Sequence, residues 1–129
     1  MTIPKFRAWT EEGEVMYYDV YPFKDYTLLL SYDEIAFDEV PASDFILMQS
    51  TGLKDKNGTE IYEGDVVRYE CCPESHVEEV IYDNKHCNFG TIDKNGETFS
   101  FNALISDIYV GCFEVVGNKY ENPGLLEEE

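Results

Sequence analysis

The sequence predicts a mainly β protein with little helix, and an α+β arrangement is the alternative. Short runs of β-branched and aromatic residues are separated by clusters of Asp, Asn and Gly, which is the pattern of strands joined by tight turns. The tetrapeptide Asp-Lys-Asn-Gly occurs twice, at 55–58 and 93–96, and Asn-Gly favours a type I′ turn whose twist matches paired strands. No segment stands out as a helix.

The first 48 residues are predicted to form an N-terminal β lobe. An alternating segment and a second strand-like run flank turn formers at 10–14, which predicts a hairpin from about Phe6 to Tyr18. Two further apolar runs, at 26–32 and 45–49, suit strands better than helices by their length. Periodicity alone does not assign such short runs.

Residues 49–123 are predicted to form an SH3-like β-barrel lobe. Five short strands are expected, at 66–70, 77–82, 88–92, 98–101 and 112–116. This density of strands and turns is typical of a small, strongly bent barrel. Residues 103–107 could form a single helical turn, and residues 124–129 are an acidic tail. Because no Pro- or Ser-rich linker separates the lobes, residues 1–129 are predicted to be a single unit in which the hairpin region packs on the barrel.

The composition excludes several classes of protein. The chain has 129 residues and a mass of 14.9 kDa, and its 9 Lys and Arg against 27 Asp and Glu leave a net charge of −18 and a pI near 4.2. Phosphate binding needs clustered cations, so no direct binding of nucleic acid is expected. The longest uncharged stretches, 45–53 and 98–106, are too short for the ~20 residues that span a bilayer. The start of the chain lacks an apolar segment, so no secretory signal is expected.

Five residues able to bind a metal lie in one short segment. They are Cys71, Cys72, His76, His86 and Cys87. Structural zinc sites usually draw on Cys-x2-Cys pairs, whereas adjacent cysteines in an extended chain point to opposite faces. We therefore predict no metal site and no cofactor, with ordinary thiols here and at Cys112, and zinc is the alternative.

No known catalytic motif is present. The sequence lacks the phosphate-binding loop, the dinucleotide fingerprint, the Gly-x-Ser-x-Gly elbow and the His-Glu-x-x-His zinc motif. Cys87 beside His86 could be a nucleophile with its base, but neighbours on a strand face opposite sides. Adjacent acids such as Glu78 and Glu79 arise by chance among 27. We predict no catalytic residue, and a metal- or thiol-dependent enzyme is the least favoured alternative.

The excess of acids is spread along the whole chain. The first 48 residues hold 3 basic and 10 acidic residues, a net charge of −7, and the remainder holds 6 basic and 17 acidic residues, a net charge of −11. One interpretation is that the charge keeps the protein soluble. The other is an acidic surface that docks on a basic partner, for instance by imitating the phosphate array of DNA.

Three stretches of the chain together resemble one protein family. They are residues 5–9 with 16–17, residues 47–67 and residues 114–123. In this order they cover nearly the whole chain and resemble the YopX family of phage and prophage proteins. The chain departs from the family pattern at Ser50, where an aromatic residue is common, and at 71–76. The resemblance implies a mostly β fold that ends in an SH3-like barrel, and it implies no established activity and no catalytic residues.

The central stretch is dense in glycines and turn formers. Gly52, Gly58 and Gly64 recur every six residues, each where a sharp turn is expected. Short polar residues between them can hydrogen-bond the local backbone. The residues to which we assign a structural role are Thr51, Gly52, Leu53, Asp55, Asn57, Gly58, Ile61, Tyr62, Gly64 and Asp65. The alternative is that this stretch is itself a binding site.

These observations predict a phage or prophage accessory protein that acts as a non-catalytic protein-binding module in the cytoplasm of the bacterial host. The sequence does not identify its protein partner. A homo-oligomer is one option, because the edges of short strands carry unpaired main-chain groups and aromatic residues, which are abundant in this chain, are enriched at protein interfaces. The alternative function is an acidic mimic of nucleic acid that occupies a basic DNA-binding protein. No membrane association is expected.

Overall fold

The computed structural model describes residues 5–31, 35–69, 76–84, 87–93, 96–100 and 113–126. These residues form eleven β-strands and two short 3-10 helices, so the prediction of a mainly β fold with little helix is confirmed. The 3-10 helices span Ala42–Asp44 and Pro123–Leu126. The strands are β1 (Phe6–Thr10), β2 (Val15–Pro22), β3 (Thr27–Ser31), β4 (Phe37–Pro41), β5 (Ile46–Lys54), β6 (Glu60–Tyr62), β7 (Asp65–Tyr69), β8 (His76–Asp83), β9 (Asn88–Ile92), β10 (Thr98–Ser100) and β11 (Phe113–Asn118).

The strands form two antiparallel sheets. One has the strand order β4-β3-β2-β1-β5-β6 and the other the order β10-β9-β8-β7-β11. Over the described residues neither sheet closes on itself, because its two outer strands do not pair with each other. The predicted closure into an SH3-like barrel is therefore not confirmed. None of the helices in this part of the chain is long and apolar enough to span a membrane.

The chain divides inside β5 into two compact units, Met1–Ser50 and Thr51–Glu129, which we call unit 1 and unit 2. In unit 1 a cluster of buried apolar residues, which we call the core of unit 1, lies on one face of the sheet. Directly opposed residues of antiparallel strands share a face, and the register places Val20 opposite Leu30. These two residues are buried together with Ala8 and Leu28. The partly buried residues that pack against them are Tyr17, Val40, Ala42 and Phe45.

The core of unit 2 is formed by residues of several strands. Ile61, Val67, Val80 and Phe113 are at most 1% exposed, and Leu53, Phe89 and Val115 pack against them. Strand β7 pairs with β8 on one side and with β11 on the other. Its consecutive residues Val66 and Val67 point to opposite faces and both are fully buried, so β7 is covered on both faces.

Most of the predicted strands are confirmed. The hairpin predicted from Phe6 to Tyr18 corresponds to β1 and β2. The two later apolar runs correspond to β3 and to the start of β5. The five strands predicted in the second lobe correspond to β7 to β11. The sequence does not predict β4 or β6. Strand β4 contains Asp38, Glu39 and Pro41, which disfavour strands, and β6 has only three residues. The helical turn predicted at 103–107 lies outside the described residues.

Candidate functional site

The carboxylate of Asp55 joins the first repeated tetrapeptide to a distant strand. Its Oδ1 accepts the N–H groups of Asn57 and Thr59, both at 2.8 Å. Its Oδ2 accepts the N–H of Val115, 60 residues further along the chain, at 2.8 Å. The backbone N–H of Lys56 adds a bond to the carbonyl oxygen of Phe113, at 3.1 Å. Asp55 therefore fixes its own turn and attaches that turn to β11.

The backbone of this turn differs from the prediction. A type I′ turn would give both Asn57 and Gly58 a positive φ. In the structure the N–H of Gly58 donates to the carbonyl of Asp55, so Lys56 and Asn57 are the central residues, and Gly58 alone among these residues has a positive φ, of +85°. The type I′ prediction is wrong here. The Asp55 carboxylate accepts the N–H groups of Asn57 and Thr59, and these bonds favour a type I turn followed by a left-handed glycine.

The second tetrapeptide repeats the local part of this arrangement. The N–H of Gly96 donates to the carbonyl of Asp93, and the N–H of Asp93 donates to the carbonyl of Glu97, both at 3.0 Å. The Oδ1 of Asp93 accepts the N–H of Glu97 at 2.9 Å. These bonds all lie within the turn. The bond from Asp55 to Val115 in addition connects the first tetrapeptide to a strand 60 residues further along the chain.

Thr51 and Asp65 also bind backbone groups of the glycine-rich stretch at 51–65, which we call the central motif. The hydroxyl of Thr51 donates to the carbonyl of Ile61 at 2.8 Å and accepts the N–H of Leu53 at 3.1 Å. Asp65 is 2% exposed, and its Oδ2 accepts the N–H of Tyr62 at 2.7 Å. Ile61 and Tyr62 are both buried in β6. The polar atoms of Thr51 and Asp65 thus hold β5, β6 and the turn before β7 in place.

Two of the three regularly spaced glycines lie at turns. Gly58 lies in the turn described above, and Gly64 lies between β6 and β7 with φ of +87°. The N–H of Gly64 donates to the carbonyl of Val80, and its own carbonyl accepts the N–H of Lys119, both at 2.9 Å. Gly52 lies inside β5 with φ of +82°, so the sharp turn expected there is wrong. A glycine within a strand takes a positive φ without steric cost, so the strand continues through it.

Asn118 organises the stretch at 114–123, which we call the closing motif. Its Oδ1 accepts the N–H groups of Tyr120 and Glu121, at 3.0 and 2.8 Å, and its Nδ2 donates to the Glu121 carboxylate at 2.7 Å. The preceding residue is Gly117, where an added Cβ would lie 2.5 Å from Oδ1 of Asn122 and 2.7 Å from Cδ1 of Leu125. The chain can fold back after β11 in this way because position 117 has no side chain.

An ion pair ties the closing motif to β8. The ammonium group of Lys119 lies 2.9 Å from Oε2 of Glu79. Partial burial by itself lowers the pKa of Lys119, but the hydrogen bond to Glu79 and its negative charge outweigh this effect and raise the pKa above its ordinary value of 10.5. Lys119 is therefore a charged structural contact at neutral pH.

Most of the cysteines and histidines lie outside the described residues. This holds for Cys71, Cys72, His86 and Cys112, and His76 is described by its backbone alone. Cys87 is exposed and has φ of +51°. Among the described residues there is no group of three or more His, Cys, Asp and Glu side chains placed to hold a metal ion.

The face of unit 1 that points away from the core carries large aromatic side chains. Tyr21 lies opposite Leu29, and Leu29 lies opposite Glu39, so the three residues share this face. Phe37 is two residues from Glu39 and therefore lies on the same face, where its ring centroid is 5.8 Å from that of Tyr21. The exposed fractions of Tyr21 and Phe37 are 46% and 43%.

Tyr18 belongs to the same face. Its ring centroid lies 6.0 Å from Cζ of Arg7, and Ala8, which follows Arg7 in β1, points into the core on the opposite face. Tyr18 is 57% exposed. We call the surface formed by Tyr18, Tyr21, Leu29 and Phe37 the aromatic face.

Acidic side chains adjoin the aromatic face. The hydroxyl of Tyr21 is 3.5 Å from Oδ1 of Asp19. Asp38 and Glu39 are exposed on β4, the outer strand of its sheet, and we call this pair the acidic edge. An antiparallel sheet usually presents polar residues to solvent, so exposed rings on that face are typical of an interaction surface. The surface is not evident in the sequence because three strands assemble it and one of them, β4, has no clear strand signal.

The chain is similar to proteins of one family. A family model described as YopX protein matches residues 5–127. The crystal structure of protein EF1440 from Enterococcus faecalis is 29% identical in sequence, has a TM-score of 0.65, and is matched over 98% of this chain and 99% of that chain. The crystal structure of protein yopX from Bacillus subtilis is 24% identical with a TM-score of 0.59, over 95% of this chain and 97% of that chain, and this likeness concerns the fold alone. No curated protein matches the chain.

Proposed function

Because the chain belongs to the YopX family, we propose that it is a phage or prophage accessory protein that acts as a non-catalytic protein-binding module in the cytoplasm of the bacterial host. The aromatic face is the observation that supports this proposal. Three large rings, of Tyr18, Tyr21 and Phe37, are between 43% and 57% exposed on one side of a sheet whose other side is the core of unit 1. Aromatic residues are enriched at protein interfaces, since they bury a large area at a small cost in side-chain entropy.

The polar residues of the central motif support a structural rather than a chemical role for that stretch. The carboxylates of Asp55 and Asp65 each accept backbone N–H groups at 2.7 to 2.8 Å. A carboxylate committed to such bonds is poorly placed to act as a general base or a metal ligand, because either role would leave the buried N–H of Tyr62 or the half-buried N–H of Val115 without an acceptor. We therefore assign binding to unit 1 and structural support to the motif.

Site-specific cross-linking tests the proposal. The photoreactive residue p-benzoylphenylalanine would replace Tyr21 on the aromatic face and, in a control, Tyr82 in unit 2, since the two tyrosines are 46% and 42% exposed. Irradiation of the producing bacterium is expected to yield a discrete protein adduct at position 21 and none at position 82. An adduct with a second copy of the chain would identify a homo-oligomer. Absence of any adduct at position 21, or the same adducts at both positions, would refute the proposed function.

A mimic of nucleic acid is the second candidate function, and the distribution of charge in unit 1 favours it. The exposed basic residues in the described part of unit 1 are Lys5 and Lys24. The exposed acids in the same part are Glu11, Glu12, Glu14, Asp25, Asp38, Glu39 and Asp44. A surface with this imbalance attracts cationic proteins, and the attraction weakens as salt is added.

Competition with DNA tests the mimic. Host DNA-binding proteins collected on heparin would be passed over the immobilised chain, with and without a duplex DNA competitor. The mimic predicts retention that the duplex abolishes and that falls steeply with salt. Retention that is unaffected by the duplex, or no retention at low salt, would exclude it.

A further inference from the structure

We propose that an extended, Arg- or Lys-rich segment of the partner protein binds unit 1 by pairing with β4, so that its cationic side chains meet the acidic edge and the ring of Phe37. This inference rests on the proposed protein-binding function and names the chemistry of the partner. It assigns a site to strand β4, which lies at the outside of the six-stranded sheet.

Strand β4 has an edge on which an added strand can lie. On one side it pairs with β3 over all five of its residues, from Phe37 opposite Ser31 to Pro41 opposite Thr27. No strand of the described residues pairs with its other side. The edge of a sheet presents a row of main-chain donors and acceptors, and extended peptides bind proteins by adding a strand to such an edge.

The side chains of β4 would meet an added strand on both faces. Phe37 and Glu39 lie on the face with the aromatic rings, and Asp38 lies on the other face, opposite Leu30. A cation on the first face would pair with the Glu39 carboxylate and lie over the Phe37 ring, and a cation on the second face would pair with Asp38. The edge therefore favours arginine or lysine on either face of the added strand.

Electrostatic repulsion disfavours the pairing of this edge with a second copy of the chain. If β4 paired with β4 of another copy, Asp38 and Glu39 would lie next to the same acids of that copy. Like charges directly opposite each other destabilise a pair of strands, and the 27 acids of each chain add to the repulsion. Acidic residues on an outer strand thus oppose self-pairing and at the same time attract a cationic strand.

The test uses a capped decapeptide of alternating Arg and Thr, with a Glu-Thr decapeptide as the control probe. Binding would be measured by calorimetry on the full chain at low and moderate salt. The variant Asp38→Lys/Glu39→Lys is expected to weaken binding by about tenfold or more. The matched variant Glu11→Lys/Glu12→Lys makes the same change in net charge at exposed residues of the β1–β2 turn and is expected to change the affinity by less than about twofold. Phe37→Ser, which keeps every charge, is expected to weaken binding severalfold.

Hydrogen exchange separates strand pairing from simple attraction. Amide exchange within Phe37–Val40 is expected to slow on addition of the Arg-Thr peptide and to stay the same with the Glu-Thr peptide. The inference would be overturned by equal losses of affinity in the two double-lysine variants, by unchanged amide exchange in β4, or by no binding of the Arg-Thr peptide. If cross-linking at position 21 captures a partner, or a second copy, while the peptide does not bind, the proposed function stands and this inference fails.

Discussion

Replacing Asp55 with alanine tests whether its carboxylate attaches a turn to β11. The variant removes bonds to the N–H groups of Asn57, Thr59 and Val115, each 2.8 Å long. Asn57 and Thr59 are exposed, so water replaces the carboxylate there and the cost resembles that of a lost helix cap, about 1 kcal/mol. The half-buried N–H of Val115 loses its acceptor, at a cost of about 1–3 kcal/mol. We expect the free energy of unfolding to fall by about 2–4 kcal/mol.

Asp93→Ala is the matched control, since it removes the same residue from an identical tetrapeptide. The bonds of Asp93 described above lie within its turn, and we expect a loss of about 0.5–1 kcal/mol. Urea unfolding followed by far-UV circular dichroism would give both values. Hydrogen exchange would report the Val115 amide, which we expect to exchange faster in Asp55→Ala alone. Equal losses of stability, or unchanged exchange at Val115 in Asp55→Ala, would refute the reasoning.

Three further predictions follow from the geometry. Gly117→Ala places a Cβ within 2.7 Å of Asn122 and Leu125, so it is expected to lower stability by about 1–3 kcal/mol in thermal unfolding. In the control Gly124→Ala the added Cβ has no neighbour within 4 Å, and the stability is expected to stay the same. The pKa of Lys119 is raised in the folded state, so its contribution to the free energy of unfolding is complete below pH 10.5 and is lost as the pH rises through the pKa of the folded state. Urea unfolding should therefore show a larger difference in stability between the wild type and Lys119→Met at pH 9 than above pH 11. A difference that does not shrink would contradict this reasoning. Leu30→Ala, on the buried face of unit 1, is expected to lower the free energy of unfolding by about 2–5 kcal/mol in urea unfolding. Phe37→Ser, on the aromatic face, is expected to change it by less than about 0.5 kcal/mol. Similar losses in the two variants would contradict the assignment of the two faces.

The sequence predicts those elements whose cause is local. The strands β1 to β3 and β7 to β11 follow from runs of β-branched and aromatic residues between turn formers, which bias the backbone within a few residues. Strand β4 has acids and a proline, and it forms because β3 offers a neighbouring edge. The Asn-Gly pair predicts a type I′ turn at 55–58, but the Asp55 carboxylate determines the geometry of this turn. Sheet closure depends on which outer strands meet, and no local pattern encodes that.

The candidate site could be predicted less well than the fold. The motif residues at 51–65 stand out in the sequence because glycines and short polar residues mark a constrained backbone, and the structure gives Thr51, Asp55 and Asp65 bonds to that backbone. The aromatic face has no such mark. Its residues come from β2, β3 and β4, and each is an ordinary strand residue when taken alone. Only the register of the three strands brings Tyr21, Leu29 and Phe37 together.

An irregularity in the pairing of β1 with β2 decides which tyrosine of the pair at 17 and 18 faces outward. Phe6 lies opposite Val20, but Ala8 lies opposite Tyr17, so β2 has one residue more than β1 between these two pairs. Simple alternation would place residues 17 and 20 on opposite faces. The extra residue instead lets both Tyr17 and Val20 face the core, and Tyr18 lies on the aromatic face. Because a shift of one residue exchanges the two faces of a strand, this bulge determines that Tyr18, and not Tyr17, lies on the aromatic face.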